Sequence, residues 1–99
     1  SEFTYQQVKD EFPDVREIDV TRARGRNEPV RIYELIAKGE YPNLVWLADF
    51  AKAYELFHSG HPKKALPIFE TLEKTVGDPV SRYYVPLCHT PRRRGSDKK

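Results

Sequence analysis

The hydrophobic pattern of this chain changes period part-way along, and that change limits what it can fold into. Between residues 15 and 35 two runs rich in β-branched residues, Val15-Arg16-Glu17-Ile18-Asp19-Val20 and Pro29-Val30-Arg31-Ile32-Tyr33-Glu34-Leu35, read as strands whose side chains fall on two faces in turn. A period of two belongs to strands. From Leu44 onward, Leu47, Phe50, Ala51, Tyr54 and Phe57 recur at helical spacing. That spacing puts them on one helix face. Between these regions, Ala37 to Asn43 is punctuated by Gly39 and Pro42, and 38–43 reads as a linker. Strands followed by helices predict an α+β chain.

The first 37 residues read as a helix and a hairpin. Phe3 or Thr4, Val8 and Phe12 lie four apart and predict a short helix closed by Pro13. Arg16, Ile18 and Val20 are expected on one strand face. In the next strand, Val30, Ile32 and Glu34 share one face, and Arg31, Tyr33 and Leu35 the other. Ala23-Arg24-Gly25-Arg26-Asn27-Glu28 joins the two as a turn in which Gly25 is free to take φ > 0. The expected element is an antiparallel β-hairpin with a longish loop. Two strands alone are marginal, so they need a larger sheet or a covering layer.

Residues 44–88 read as a helical hairpin with a short third helix, and Asn43 is placed to cap the first. Ser59-Gly60-His61-Pro62 is a stop-and-restart signal, with Gly60 suited to a left-handed C′ position and Pro62 to the first helical position. Ala65, Ile68, Phe69, Leu72 and Val76 form the second apolar face. Pro67 falls inside that helix and predicts a kink or a tightened first turn. Asp78 reads as an N-cap with Pro79 after it. The third helix, Val80 to Leu87, is expected to end where it meets Pro86.

Charge and composition narrow the class. The chain has 99 residues, enough for one small core. Hydrophobic residues make up 38% and charged residues 32%, both ordinary for a soluble chain. No apolar run approaches the roughly 18 residues of a membrane span, and residues 1–20 lack a signal-peptide core. A first residue of Ser1 and the absence of Met are read as a chain cut from something longer or processed. The net charge of +2 is unevenly placed. Arg92, Arg93, Arg94, Lys98 and Lys99 make the end basic and leave the remainder mildly acidic. Residues 89–99 are expected to be a disordered basic tail. Such tails touch nucleic acid or anionic lipid, but a solvated end is the simpler reading. Cys88 is the one cysteine, which fits a reducing compartment.

Two segments resemble known families. Ile18-Asp19-Val20 followed by Arg24-Gly25-Arg26-Asn27-Glu28-Pro29-Val30-Arg31-Ile32-Tyr33-Glu34-Leu35 resembles the C-terminal end of class III adenylate/guanylate cyclase catalytic domains. The resemblance covers about a third of the chain and implies that residues 1–37 close such a domain. Phe50 to Pro79 is similar to a tetratricopeptide-type helical hairpin, with Ala53, Gly60, Ala65, Phe69 and Leu72 at that motif's spacings. Helical-module packing is therefore expected from Phe50, Ala53, Tyr54, Phe57, Gly60, Ala65, Phe69 and Leu72. Bacterial class III cyclases with a similar helical extension fit both halves.

The cyclase resemblance implies chemistry that this chain does not itself carry. In that family two carboxylates hold metal ions on the nucleotide. A Lys and an Asp or Thr read the base, and an Asn and an Arg stabilise the transition state. All precede the matched segment, so no catalytic or metal-binding residue and no cofactor is expected here. Mg or Mn is implied for the parent enzyme. Asp10, Glu11, Asp14, Glu17 and Asp19 read more simply as a solvated face than as a metal site. Arg24 and Arg26 are the candidate phosphate contacts, because a guanidinium fork suits phosphate oxygens. Exposed turn arginines are the simpler reading. His58, His61 and His89 lack metal-ligand spacing, and Cys88 reads as a buried, inert thiol. Trp46, Phe50, Tyr54, Phe57 and Phe69 read as core, which Tyr83 and Tyr84 either extend or leave to line a groove.

These readings imply a non-catalytic C-terminal regulatory or docking region of a class III cyclase. Its parent would convert ATP or GTP to the cyclic nucleotide in intracellular signalling. The partners implied are the upstream cyclase domain and a protein held by the helical module. The parent is expected to be a cytoplasmic homodimer, with or without an upstream membrane tether. A stand-alone protein-binding module of tetratricopeptide type is the alternative. Nucleic-acid binding through the basic tail is the third and least favoured reading.

Overall fold

The computed structural model describes residues 14–22, 25 and 27–90. It is an α+β arrangement of one antiparallel hairpin followed by three helices. The chain divides into two compact units between Leu44 and Val45. The N-terminal helix expected over 3–12 and the basic tail from Pro91 onward lie outside the described residues.

In the first unit, β1 (Asp14–Arg22) pairs with β2 (Pro29–Ile36). β-Branched and aromatic residues give β2 its extended backbone, and Pro29 stands at its first position, where a missing N–H costs least. Val15 stands opposite Leu35, and Arg16 opposite Glu34. The register then steps by one residue between Glu17 and Asp19, so that Asp19 faces Ile32 and Val20 faces Arg31. Ile18 is the inserted residue of a β-bulge.

This bulge overturns the expectation that Arg16, Ile18 and Val20 share a face. An extra residue shifts the alternation by one, which sends side chains beyond it to the opposite face. Arg16 therefore shares a face with Asp19 and Thr21, and Val20 shares one with Val15 and Glu17. The Asp19 carboxylate accepts the Val20 N–H at 2.8 Å. The division of β2 into Val30, Ile32 and Glu34 against Arg31, Tyr33 and Leu35 agrees with the register.

The second unit contains α1 (Leu47–His58), α2 (Pro62–Thr75) and α3 (Pro79–His89), packed in sequence order. α1 starts later than the apolar pattern suggests. Its N-cap is Trp46 rather than Asn43, with no side-chain cap. Trp46 is buried, and its carbonyl accepts the Phe50 N–H at 3.0 Å. Burial of the indole thus takes precedence over the capping preference of asparagine. Asp49 in the first turn favours the helix dipole.

Glycine ends two of the helices. Gly60 takes φ 93° after α1. The Gly60 N–H reaches the Phe57 carbonyl at 3.2 Å and the His61 N–H reaches Leu56 at 2.8 Å. That pair of bonds is a Schellman stop. Gly77, at φ 74°, ends α2 in the same left-handed region. No neighbouring atom lies within 4 Å of where a Cβ would sit on Gly77, so the backbone angle and not space requires glycine there.

Proline punctuation behaves in two ways. Pro62 and Pro79 stand at helix starts, where their missing N–H is not needed. Pro67 and Pro86 are inside helices. Around Pro67 the expected tight first turn is present, since Lys64 and Ala65 both donate to the His61 carbonyl at 3.1 Å. Pro86 does not end α3 as expected. The helix runs on to His89. Pro86 itself is exposed, while Tyr84 and Cys88 on either side are buried. Packing on that face offsets the lost backbone bond. In both helices a threonine four residues later bonds the proline carbonyl: Thr71 at 2.9 Å and Thr90 at 3.1 Å.

The core of this unit is aromatic. Phe50, Ala53 and Phe57 on α1, Ala65, Phe69 and Leu72 on α2, and Ser81, Tyr84 and Cys88 on α3 are buried. Fully buried Ala53 and Ala65 keep those faces of α1 and α2 small. Tyr84, 1% exposed, stacks on Phe69 with centroids 4.8 Å apart and meets Phe57 edge-on at 4.9 Å. Its hydroxyl lies 3.0 Å from His58 Nε2. The neighbouring Tyr83 is 55% exposed.

Buried Asp78 caps α3, accepting the N–H groups of Val80 at 3.2 Å and Ser81 at 3.1 Å and the Ser81 hydroxyl at 2.6 Å.

Three substitutions test this account. Tyr84→Ala is expected to destabilise the helical unit by about 3–5 kcal/mol, the range of large aromatic truncations, whereas Tyr83→Ala should stay within about 0.5 kcal/mol. Asp78→Ala removes a cap and strands buried donors, so a loss of about 1–2 kcal/mol is expected. Urea denaturation followed by circular dichroism measures all three.

Candidate functional site

Two surfaces carry the residues singled out by sequence. The first is the hairpin. Its charged side chains are largely consumed by cross-strand pairing. Arg16, itself buried, directs Nε and Nη2 to Glu34 Oε1, each at 2.7 Å. On the opposite face Arg31 Nη1 meets Glu17 Oε2 at 2.7 Å. The two glutamates are thus held by guanidinium groups, not turned together toward a common point. The Glu17–Arg31 pair is partly exposed and of small energetic weight. The Arg16–Glu34 pair joins a buried guanidinium to a partly exposed carboxylate, so its weight rests mainly on the buried arginine.

Beside those pairs the hairpin presents apolar surface. Val15, Tyr33 and Leu35 share one face and are 53%, 55% and 43% exposed. On the other face, Val30 and Ile32 are also exposed, while Ile36 at the end of β2 is buried. Exposed apolar residues clustered on one sheet face commonly mark a contact surface.

The loop joining the strands holds Gly25 at φ 78°. The candidate phosphate contacts Arg24 and Arg26, on either side of it, lie outside the described residues.

The second surface is the helical unit. Of the packing residues expected from sequence, Phe50, Ala53, Phe57, Ala65, Phe69 and Leu72 are buried, Tyr54 is half-buried, and Gly60 is the exposed stop after α1. Tyr54 closes the cluster edge, 4.4 Å from the His58 ring and 6.2 Å from Tyr84. Two open grooves flank the outer ridge of α2. One, of about 680 Å³, runs between α2 and α3 past Pro67, Glu70, Lys74, Arg82 and Val85. Arg82 and Glu73 pair across it at 3.4 Å. The other, of about 310 Å³, lies between α1 and α2 beside Asp49, Lys52 and Ile68.

The histidines serve other roles than the metal site weighed from sequence. His58 bonds Tyr84, and His61 Nδ1 lies 3.2 Å from Ser59 Oγ in the turn after α1. Among the described residues no group of three or more His, Cys, Asp or Glu side chains is placed to hold a metal ion. Also among the described residues, no helix is long and apolar enough to cross a membrane.

Sequence reasoning missed Ser81 and left Tyr84 open between extending the core and lining a groove. Ser81 is buried against the Asp78 carboxylate, and the Ser three places after an Asp-Pro pair was the available signal. Tyr84 is the common partner of four aromatic rings on α1 and α2 (Phe50, Tyr54, Phe57 and Phe69). Only its difference from Tyr83 in helical phase distinguished it beforehand.

No protein-family model, curated protein or solved structure matches this chain.

Burial pushes the Cys88 thiol pKa up, and the nearby Glu70 charge adds to the effect. The thiolate is therefore disfavoured in the folded state, and a disulfide reagent at pH 8 should label Cys88 more slowly in native protein than in urea. With its folded pKa raised, the thiol contributes stability that is present below the ordinary cysteine range and is lost as pH rises through the raised folded value. A Cys88→Ser control should remove the labelling altogether.

Proposed function

We propose that this chain is a non-catalytic C-terminal regulatory and docking region of a class III adenylate or guanylate cyclase. Residues 14–36 extend the sheet of an upstream catalytic domain, and the helical unit beginning at Val45 docks a protein partner. The parent converts ATP or GTP to the cyclic nucleotide, with Mg or Mn held by residues upstream. It acts in the cytoplasm as a homodimer. The observation that carries this reading is the apolar face of Val15, Tyr33 and Leu35 on a sheet that has two strands among the described residues. A sheet that small is marginal by itself, and such a face is suited to burial against another layer. The ordered string from Arg24 to Leu35 supplies the chemical identity of that layer through its resemblance to the cyclase family.

A protein-binding module of tetratricopeptide type is the second reading. It is favoured by the buried Ala53, Ala65 and Phe69 at the α1 and α2 faces and by the open grooves beside α2. Such hairpins normally stack in groups of three or more, so this reading calls for further hairpins beside it.

The deciding measurement is cyclic-nucleotide production by the intact parent and by a parent truncated after Ala37, with metal and either nucleotide supplied. A changed rate on truncation is expected and makes residues 38–99 regulatory. An equal rate leaves them a docking module, and an inactive intact parent overturns the cyclase reading. Tyr33→Glu in the intact parent places a charge on the proposed sheet contact and is expected to lower activity at least tenfold, about 1.4 kcal/mol. Unchanged activity would exclude that contact.

A further inference from the structure

We draw no further inference here: the strongest candidate, the exposed apolar face of the hairpin at Val15, Tyr33 and Leu35, belongs to the surface already used for the proposed function, and nothing in the structure shows what else covers it.

Discussion

The helical unit depends on one side chain arriving from its last helix. Tyr84 of α3 fills the space where rings from α1 and α2 meet, stacking on Phe69 and meeting Phe57, Phe50 and Tyr54 at steep angles. Offset-stacked and edge-to-face pairs of this kind each contribute about 0.5–1.5 kcal/mol beyond area burial. A buried tyrosine also needs a partner for its hydroxyl, and His58 at the end of α1 provides one. The contact thus joins the first helix to the third. Phe69, lying between them on α2, makes the interaction three-way.

The remainder of the unit brings Tyr84 into place. Gly60 and Gly77 reverse the chain after α1 and α2. Asp78 then starts α3 while itself buried, with its carboxylate accepting from Val80 and Ser81. These devices are local and therefore legible in sequence: a glycine beyond the last apolar position, and an Asp-Pro pair before the next run. The change of period that predicts strands before helices is equally local. The α+β order follows from it.

Features set by tertiary packing were much less legible. Pro86 reads as a helix terminator, yet α3 continues because Tyr84 and Cys88 are buried on the same side. Trp46 displaces Asn43 as the first cap because its ring is buried. The bulge at Ile18 shows in the sequence only as the adjacent polar pair Arg16-Glu17, which interrupts the alternation without marking the inserted residue. Only the pairing with β2 reveals that Val20 has moved to the face of Val15. At the hairpin surface, the alternation of β2 marked the faces but not their exposure. Exposure depends on what packs above a strand, which the strand's own residues do not encode.

The two glycine stops also bear on how the unit assembles. Each reverses the chain within a few residues, so helices adjacent in sequence are adjacent in space. Little loop entropy is spent before α1 meets α2, or α2 meets α3. Helical architectures dominated by such short-range contacts cross their folding barrier in roughly microseconds to milliseconds. The second unit is therefore built to acquire its structure rapidly, with the three-way closure around Tyr84 as the step that requires all of its helices at once.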